Sequence, residues 1–223
     1  MRVSLKTDYP FRETLRLQVS TAKSVRFPVL LRVPLWAEGA SIRLAGGAEK
    51  PLKPGSFHRL EQQWNGTSEM DLRFPMEVKT SRRYHQAITV ERGPLVFSLK
   101  LGETRTRVNA DKPQRDLPHG DFEVRPSTPW NYGLLLDESR PETSVVFEER
   151  PVGAKPFSPD GAGVVARVKG RRLPDWKLEH GWAQEIDPQP QTSEEPIEEL
   201  TLIPYGCTNI RVTEFPALGS VQK

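Results

Sequence analysis

Apolar and polar side chains alternate along much of the first hundred residues. From Thr14 to Val19, Leu15, Leu17 and Val19 fall on one side while Thr14, Arg16 and Gln18 fall on the other, the period of two that marks a half-buried strand. Val29, Leu31, Val33 and Leu35 repeat the pattern, with Pro28, Leu30, Arg32 and Pro34 on the opposite face. The two prolines cannot donate ladder hydrogen bonds and favour an edge or a bulge. Ile42 and Leu44 predict a short strand closed by Gly46-Gly47. Leu60 and Trp64 predict another, and Met70, Leu72 and Phe74 a third that Pro75 ends. Between the last two, Asn65-Gly66 supplies residues suited to a hairpin turn. Leu95-Val96-Phe97-Ser98-Leu99 is apolar on both faces, which predicts a central position in a sheet.

The pattern changes after Gly102. Asn109 to Pro118, with two prolines among charges, reads as a linker or long loop. Short apolar runs then follow at Phe122-Glu123-Val124, Trp130 to Leu136, Val145-Val146-Phe147 and Val164 to Val168. Asp187 to Pro196 reads as an exposed loop. Leu200 to Pro204 and Asn209 to Phe215 close the chain as two strands around a Tyr205-Gly206 turn. No window shows a helical period, so the expectation is an all-β chain of two antiparallel β-sandwich (jelly-roll-like) domains. The first spans 1–105 and the second 106–223, and strands from 200–216 are able to return to the first.

Composition agrees with this reading and narrows the chemistry. The 21 prolines among 223 residues disfavour long helices. Lysine plus arginine total 32 against 29 acidic residues, a net charge of +3, and both signs are dispersed. A nucleic-acid partner would need a clustered basic face, and Arg82-Arg83 and Lys169-Gly170-Arg171-Arg172 are short turn-like clusters. No apolar run approaches the roughly 20 residues that span a bilayer, and the first residues lack the apolar core of a signal peptide, so the chain reads as soluble, with its localisation open. Strand-like sequence begins almost at Met1, as expected where a chain starts at an internal boundary of a longer protein.

Candidate chemistry is sparse. Cys207 is the sole cysteine, so no disulfide or multi-cysteine zinc site forms within the chain, and its place between two apolar strands suits a small buried filler. His58, His85, His119 and His180 show no metal-ligand spacing. Glycoside hydrolysis needs two carboxylates about 5 to 9.5 Å apart, one of them made less acidic by burial. Glu61, Glu69, Asp71, Glu77 and Glu91 instead occupy polar alternates of strands, and Glu194-Glu195 and Glu198-Glu199 flank Pro196-Ile197 in a loop. Asn65-Gly66-Thr67 matches a glycosylation acceptor as well as a turn. Among five tryptophans, Trp36 and Trp64 end apolar runs and belong to the core. Trp176 and Trp182 lie in polar surroundings and are the candidates for sugar stacking.

Several segments together resemble the C-terminal β-sandwich region of the β-L-arabinofuranosidase family, glycoside hydrolase family 127, formerly a domain of unknown function. They are Thr7 to Phe11, Leu31-Arg32-Val33-Pro34-Leu35-Trp36-Ala37, Phe74-Pro75-Met76, Val90 to Phe97, Trp130-Asn131-Tyr132 and Leu202 to Pro216. The resemblance implies an (α/α)6 catalytic barrel in the parent protein, with retaining hydrolysis by a zinc-bound cysteine and an acid/base glutamate. None of those residues maps onto this sequence, and Cys207 matches a strand-turn motif rather than the nucleophile. For this chain the resemblance therefore implies no catalytic residue and no metal or cofactor, zinc belonging to the absent barrel. Its implied partners are that barrel and a second copy in a homodimer; the exposed tryptophans keep open the alternative of a free-standing carbohydrate-binding or interaction module, while the dispersed charge and short apolar runs predict neither a nucleic-acid nor a membrane partner.

Overall fold

The computed structural model describes residues 1–188 and 191–218. Gln189 and Pro190 of the expected 187–196 loop, and residues 219–223 of the expected second domain, lie outside the described residues. The chain divides into two compact units, one formed by residues 1–77 with 92–95 and the other by 78–91 with the residues from 96 onward.

The first unit is built on one long ribbon. It contains β1 (Arg2–Thr7), β2 (Thr14–Val33), β3 (Ser41–Leu44), β4 (Glu49–Pro51) and β5 (Ser56–Arg73), in the sheet order β1-β2-β5-β3-β4. β2 and β5 pair antiparallel from Thr14 opposite Arg73 to Val33 opposite Ser56. Asn65-Gly66 is consequently no hairpin: the chain runs through it inside β5, because continuous β2 pairs with residues on both sides. The register instead slips between Thr21 and Val25, opposite Trp64 to Gly66, where Gly66 takes a φ of +68°. Such a bulge bends a ribbon sharply. Leu17, Val19, Met70 and Leu72 from one half and Leu31, Val33 and Trp64 from the other share a single core, so the bend closes both halves over it. Trp64 is fully buried, stacked on Phe27 with ring centroids 5.4 Å apart, and donates its indole N–H to the Phe27 carbonyl at 2.8 Å. Trp36 packs against the same core, edge-on to Phe74. Leu35 leaves the inner face, since the strand ends at Val33 and the next turn exposes 77% of it.

The second unit carries the remaining strands: β6 (Val78–Arg82), β7 (Ile88–Arg92), β8 (Leu95–Leu99), β9 (Glu103–Val108), β10 (Asp121–Pro126), β11 (Tyr132–Leu135), β12 (Val145–Glu149), β13 (Val164–Arg172), β14 (Leu178–Glu179), β15 (Trp182–Ala183), β16 (Glu198–Pro204) and β17 (Ala217–Leu218). The main sheet has the order β17-β11-β13-β16-β8-β7-β6, with β12 also paired to β13. β8 lies inside it between β16 and β7, as a strand apolar on both faces requires. The strand at 198–204 does return to β8, yet both belong to this second unit, which begins at residue 78, ahead of the change in composition near 105.

Residues 109–120 form the long loop that the sequence suggests, and residues 209–214 depart from expectation for an identifiable reason. Residues 109–120 join β9 to β10 as the loop of a hairpin. Their charges serve as ties: Arg107 donates to the Arg115 carbonyl at 3.0 Å, Asn109 to Asp121 at 2.9 Å, and Arg115 pairs with Asp121 at 3.2 Å. Residues 209–214 form no strand. The Glu103 carboxylate takes up the backbone N–H groups of Asn209 and Ile210, each at 2.9 Å, donors that a ladder would need. Only Phe215 bridges to Ile88. Among the described residues no helix is long and apolar enough to cross a membrane.

Trp64→Ala is expected to remove about 3–5 kcal/mol of stability by opening a cavity in the folded ribbon. Phe57→Ser, at a position 67% exposed, is expected to change it by no more than about 0.5 kcal/mol; denaturant unfolding of both variants checks the pair.

Candidate functional site

Among the described residues, polar and aromatic side chains of the second unit converge at two places. One begins at the turn between β6 and β7. His85 and Gln86 both adopt positive φ, +52° and +60°, a conformation that side-chain-bearing residues rarely take and that costs free energy. The turn is closed by Gln86 N–H to Arg83 O and Ala87 N–H to Tyr84 O, each 3.1 Å. It places the Tyr84 ring against the His85 imidazole at 3.8 Å, nearly parallel. His85 Nδ1 lies 2.6 Å from the Ile186 carbonyl, so that nitrogen carries the proton and the ring is held in place.

Trp130 and Trp176 supply the facing side chains. Trp130 precedes β11 and Trp176 follows β13, strands that pair with Tyr132 opposite Arg172. Buried Asn131 clamps the two segments together: its side-chain amide donates to the carbonyls of Leu173 at 2.8 Å and Trp176 at 3.0 Å. The indoles meet edge to face, 4.8 Å apart at 65°, and Trp176 Nε1 donates to the Gln184 carbonyl at 2.8 Å. Tyr84, Trp130, Trp176, Ile186, Arg211 and Glu214 line a groove of about 340 Å³. Trp176 also borders a second groove of about 530 Å³ that runs past Ser193 and Glu195.

Of the two tryptophans singled out from the sequence, Trp176 lines the groove half-buried, with its N–H already engaged. Trp182 stands 79% exposed on the β14–β15 hairpin and does not line it. Sequence reading missed Tyr84 and Trp130 as a pair with Trp176. The available signal was Tyr84-His85-Gln86 between two strands, a turn with neither glycine nor proline.

The other place is an acidic recess of about 610 Å³ bordered by Lys100, Glu103, Tyr132, Asp160, Glu198 and Glu199. Its carboxylates are all engaged. Glu103 receives the Thr208 hydroxyl at 2.8 Å, the N–H groups of Asn209 and Ile210, and the Asn209 side-chain amide at 2.7 Å. Asp160 pairs with Lys100 at 2.8 Å, Glu198 accepts from the Tyr132 hydroxyl at 3.0 Å, and Glu199 lies 3.8 Å from Arg167. Burial alone would raise the pKa of Glu103, but the hydrogen bonds from Asn209, Ile210 and Thr208 outweigh it and leave the carboxyl below its ordinary 4.5. The hydrogen bond from Lys100 lowers Asp160 likewise. On the strand faces Arg59 lowers Glu61, Arg16 lowers Asp71 and Arg167 lowers Glu148. A general acid for glycoside cleavage needs the opposite shift.

Cys207 is buried as expected, with its thiol 3.4 Å from the Pro156 carbonyl. Burial pushes its pKa up to about 11. A zinc ligand or nucleophile must be a thiolate, and among the described residues no three His, Cys, Asp or Glu side chains are grouped to hold a metal ion.

Residues 1–76 match the family model described as the β-L-arabinofuranosidase GH127 middle domain. Over 96% of its length the chain is similar in fold to Ara127N-Se, a GH127 β-L-arabinofuranosidase from Geobacillus stearothermophilus T6, with a TM-score of 0.57 at 22% identity, covering 30% of that chain. A structure described as a glycoside hydrolase matches 97% of the chain at 17% identity and a TM-score of 0.53, over 32% of its own length. A GH127 β-arabinofuranosidase matches 96% at 15% identity and 0.51, over 31% of its length. The chain thus spans about a third of the solved structures it matches. No curated protein matches its sequence.

Glu103→Gln is expected to cost about 1.5–3 kcal/mol at neutral pH, the value of a hydrogen bond to a charged group. Because the folded pKa lies below 4.5, the charge stabilises fully above that value and less as pH falls through the folded pKa. Unfolding midpoints of the native chain and the variant should therefore converge in acid; a constant gap from pH 7 to pH 3 would contradict the role given to Glu103.

Proposed function

We propose that this chain, whose residues 1–76 match the GH127 middle-domain model, is a non-catalytic β-sheet portion of a glycoside hydrolase related to β-L-arabinofuranosidases. In that role it supports a separate (α/α)6 barrel that carries the nucleophile, the acid/base carboxyl and any zinc. The observation that carries this reading is the state of the carboxylates. Among the described residues, each Asp or Glu whose pKa departs from the ordinary value departs downward, held by arginine, lysine, hydroxyl, amide or backbone N–H groups. Carboxylates of that kind brace strands and loops, while hydrolysis of an acetal needs one proton kept available near neutral pH. The raised thiol pKa of Cys207 points the same way, because a neutral buried thiol is a poor nucleophile. The coverage of about a third of each similar solved chain fits a portion of a larger enzyme.

The isolated chain is expected to leave a chromogenic β-L-arabinofuranoside intact, while a longer protein containing both this region and a barrel hydrolyses it. Turnover by the 223-residue chain alone, scaling with its concentration through purification, would overturn the assignment.

A further inference from the structure

We propose that the groove between Tyr84 and the Trp130–Trp176 pair is a binding site for a short neutral oligosaccharide. Two features of the groove select that chemistry. The first is a set of aromatic surfaces held before any ligand arrives. Tyr84 is 66% exposed, yet its ring is backed by His85, and His85 is fixed by the Ile186 carbonyl. Trp176 is fixed by Gln184 and set against Trp130. Surfaces already ordered lose little entropy on binding. They suit a ligand with an apolar C–H face, as a sugar ring has. The strained turn that carries Tyr84 and His85, two successive non-glycine residues at positive φ, is the kind of local cost that persists where a surface is put to use.

The second feature is the sign of the charge around the aromatic surfaces. Arg211 and Glu214 both border the groove, with Glu185 beside them. Arg211 is positioned by the Thr208 carbonyl and the Tyr205 hydroxyl, each at 3.3 Å, and lies 4.4 Å over the Tyr205 ring. Two carboxylates against one guanidinium disfavour a phosphate or nucleic-acid ligand. A wholly apolar ligand would strip water from these charges without replacing its hydrogen bonds. Hydroxyl groups donate to carboxylates and accept from guanidinium, so a polyol with an apolar face satisfies both sets. Trp182, the most exposed tryptophan among the described residues, lies outside the groove and serves as an internal control.

The test titrates arabinotriose, xylotriose and cellotriose into the complete chain and follows tryptophan fluorescence, with proline-rich peptide and heparin as comparison ligands. At least one trisaccharide is expected to give a saturable change. Tyr84→Ala should weaken it by about tenfold, the scale of one aromatic contact, without moving the thermal midpoint. Trp182→Ala should leave it unchanged, and Arg211→Ala should weaken it as well. A flat response to all three sugars, equal loss in Trp182→Ala, or saturation by the peptide or heparin alone would overturn the site. Binding is read on the chain itself, so its failure leaves the accessory role standing, and turnover by the chain would leave the groove standing.

Discussion

The ionised carboxylate of Glu103 is the tie on which the groove-bearing face of the second unit depends. Four donors from Thr208, Asn209 and Ile210 converge on it, and they fix the start of a segment that has no ladder of its own. Downstream, the Val212 carbonyl accepts from Leu99 N–H and from the Ser98 hydroxyl, and Phe215 exchanges backbone hydrogen bonds with Ile88. Arg211 and Glu214 hang from that stretch into the aromatic groove. A protonated Glu103 would leave these backbone N–H groups with a weaker acceptor, so the placement of the groove's polar rim is coupled to the charge of a carboxyl at the start of β9.

The same economy recurs across both units. In the ribbon of the first unit, Asp71 receives Arg16 and Arg43 at 2.8 and 3.3 Å, and Glu61 receives Arg26 and Arg59. Exposed pairs of this kind contribute little stability one by one. They do fix which way each strand's polar face points, and they remove carboxylates from chemical service. The core supplies the stability: Trp64 and its neighbours in the folded ribbon, and the strip of β13, β16 and β8 in the second unit, where Val164, Val165, Ala166, Leu202, Ile203 and Phe97 are fully buried.

Much of this was legible in the chain and some was not. Alternation at 14–19, 29–33 and 70–72 gave the inner face of the ribbon, and the doubly apolar run at 95–99 gave a central strand, because burial on each face is written directly in side-chain type. Alternation carries no information on whether two such runs are one strand. That is why Asn65-Gly66 reads as a turn when it sits opposite a bulge, and why a 20-residue strand reads as two. Asn209 to Phe215 alternates like a strand, but its backbone donors are claimed by a glutamate over 100 residues earlier, a competition invisible to local pattern. The groove was half legible for a related reason. Polar neighbours in sequence mark Trp176 and Trp182 equally, and only the Asn131 clamp and the β11–β13 register bring Trp130 to Trp176 while leaving Trp182 outside.

The account rests on carboxyl groups that act as fixed anions and hold structure. Carbon-13 NMR of the side-chain carboxyl groups, followed from pH 2 to pH 8, measures this group by group. Glu103, Glu91, Asp71 and Glu148 are expected to titrate below their ordinary values, in line with their surroundings. A carboxyl of the recess, Glu103 or Asp160, that instead held its proton to near neutral pH would be poised as an acid and would contradict the account.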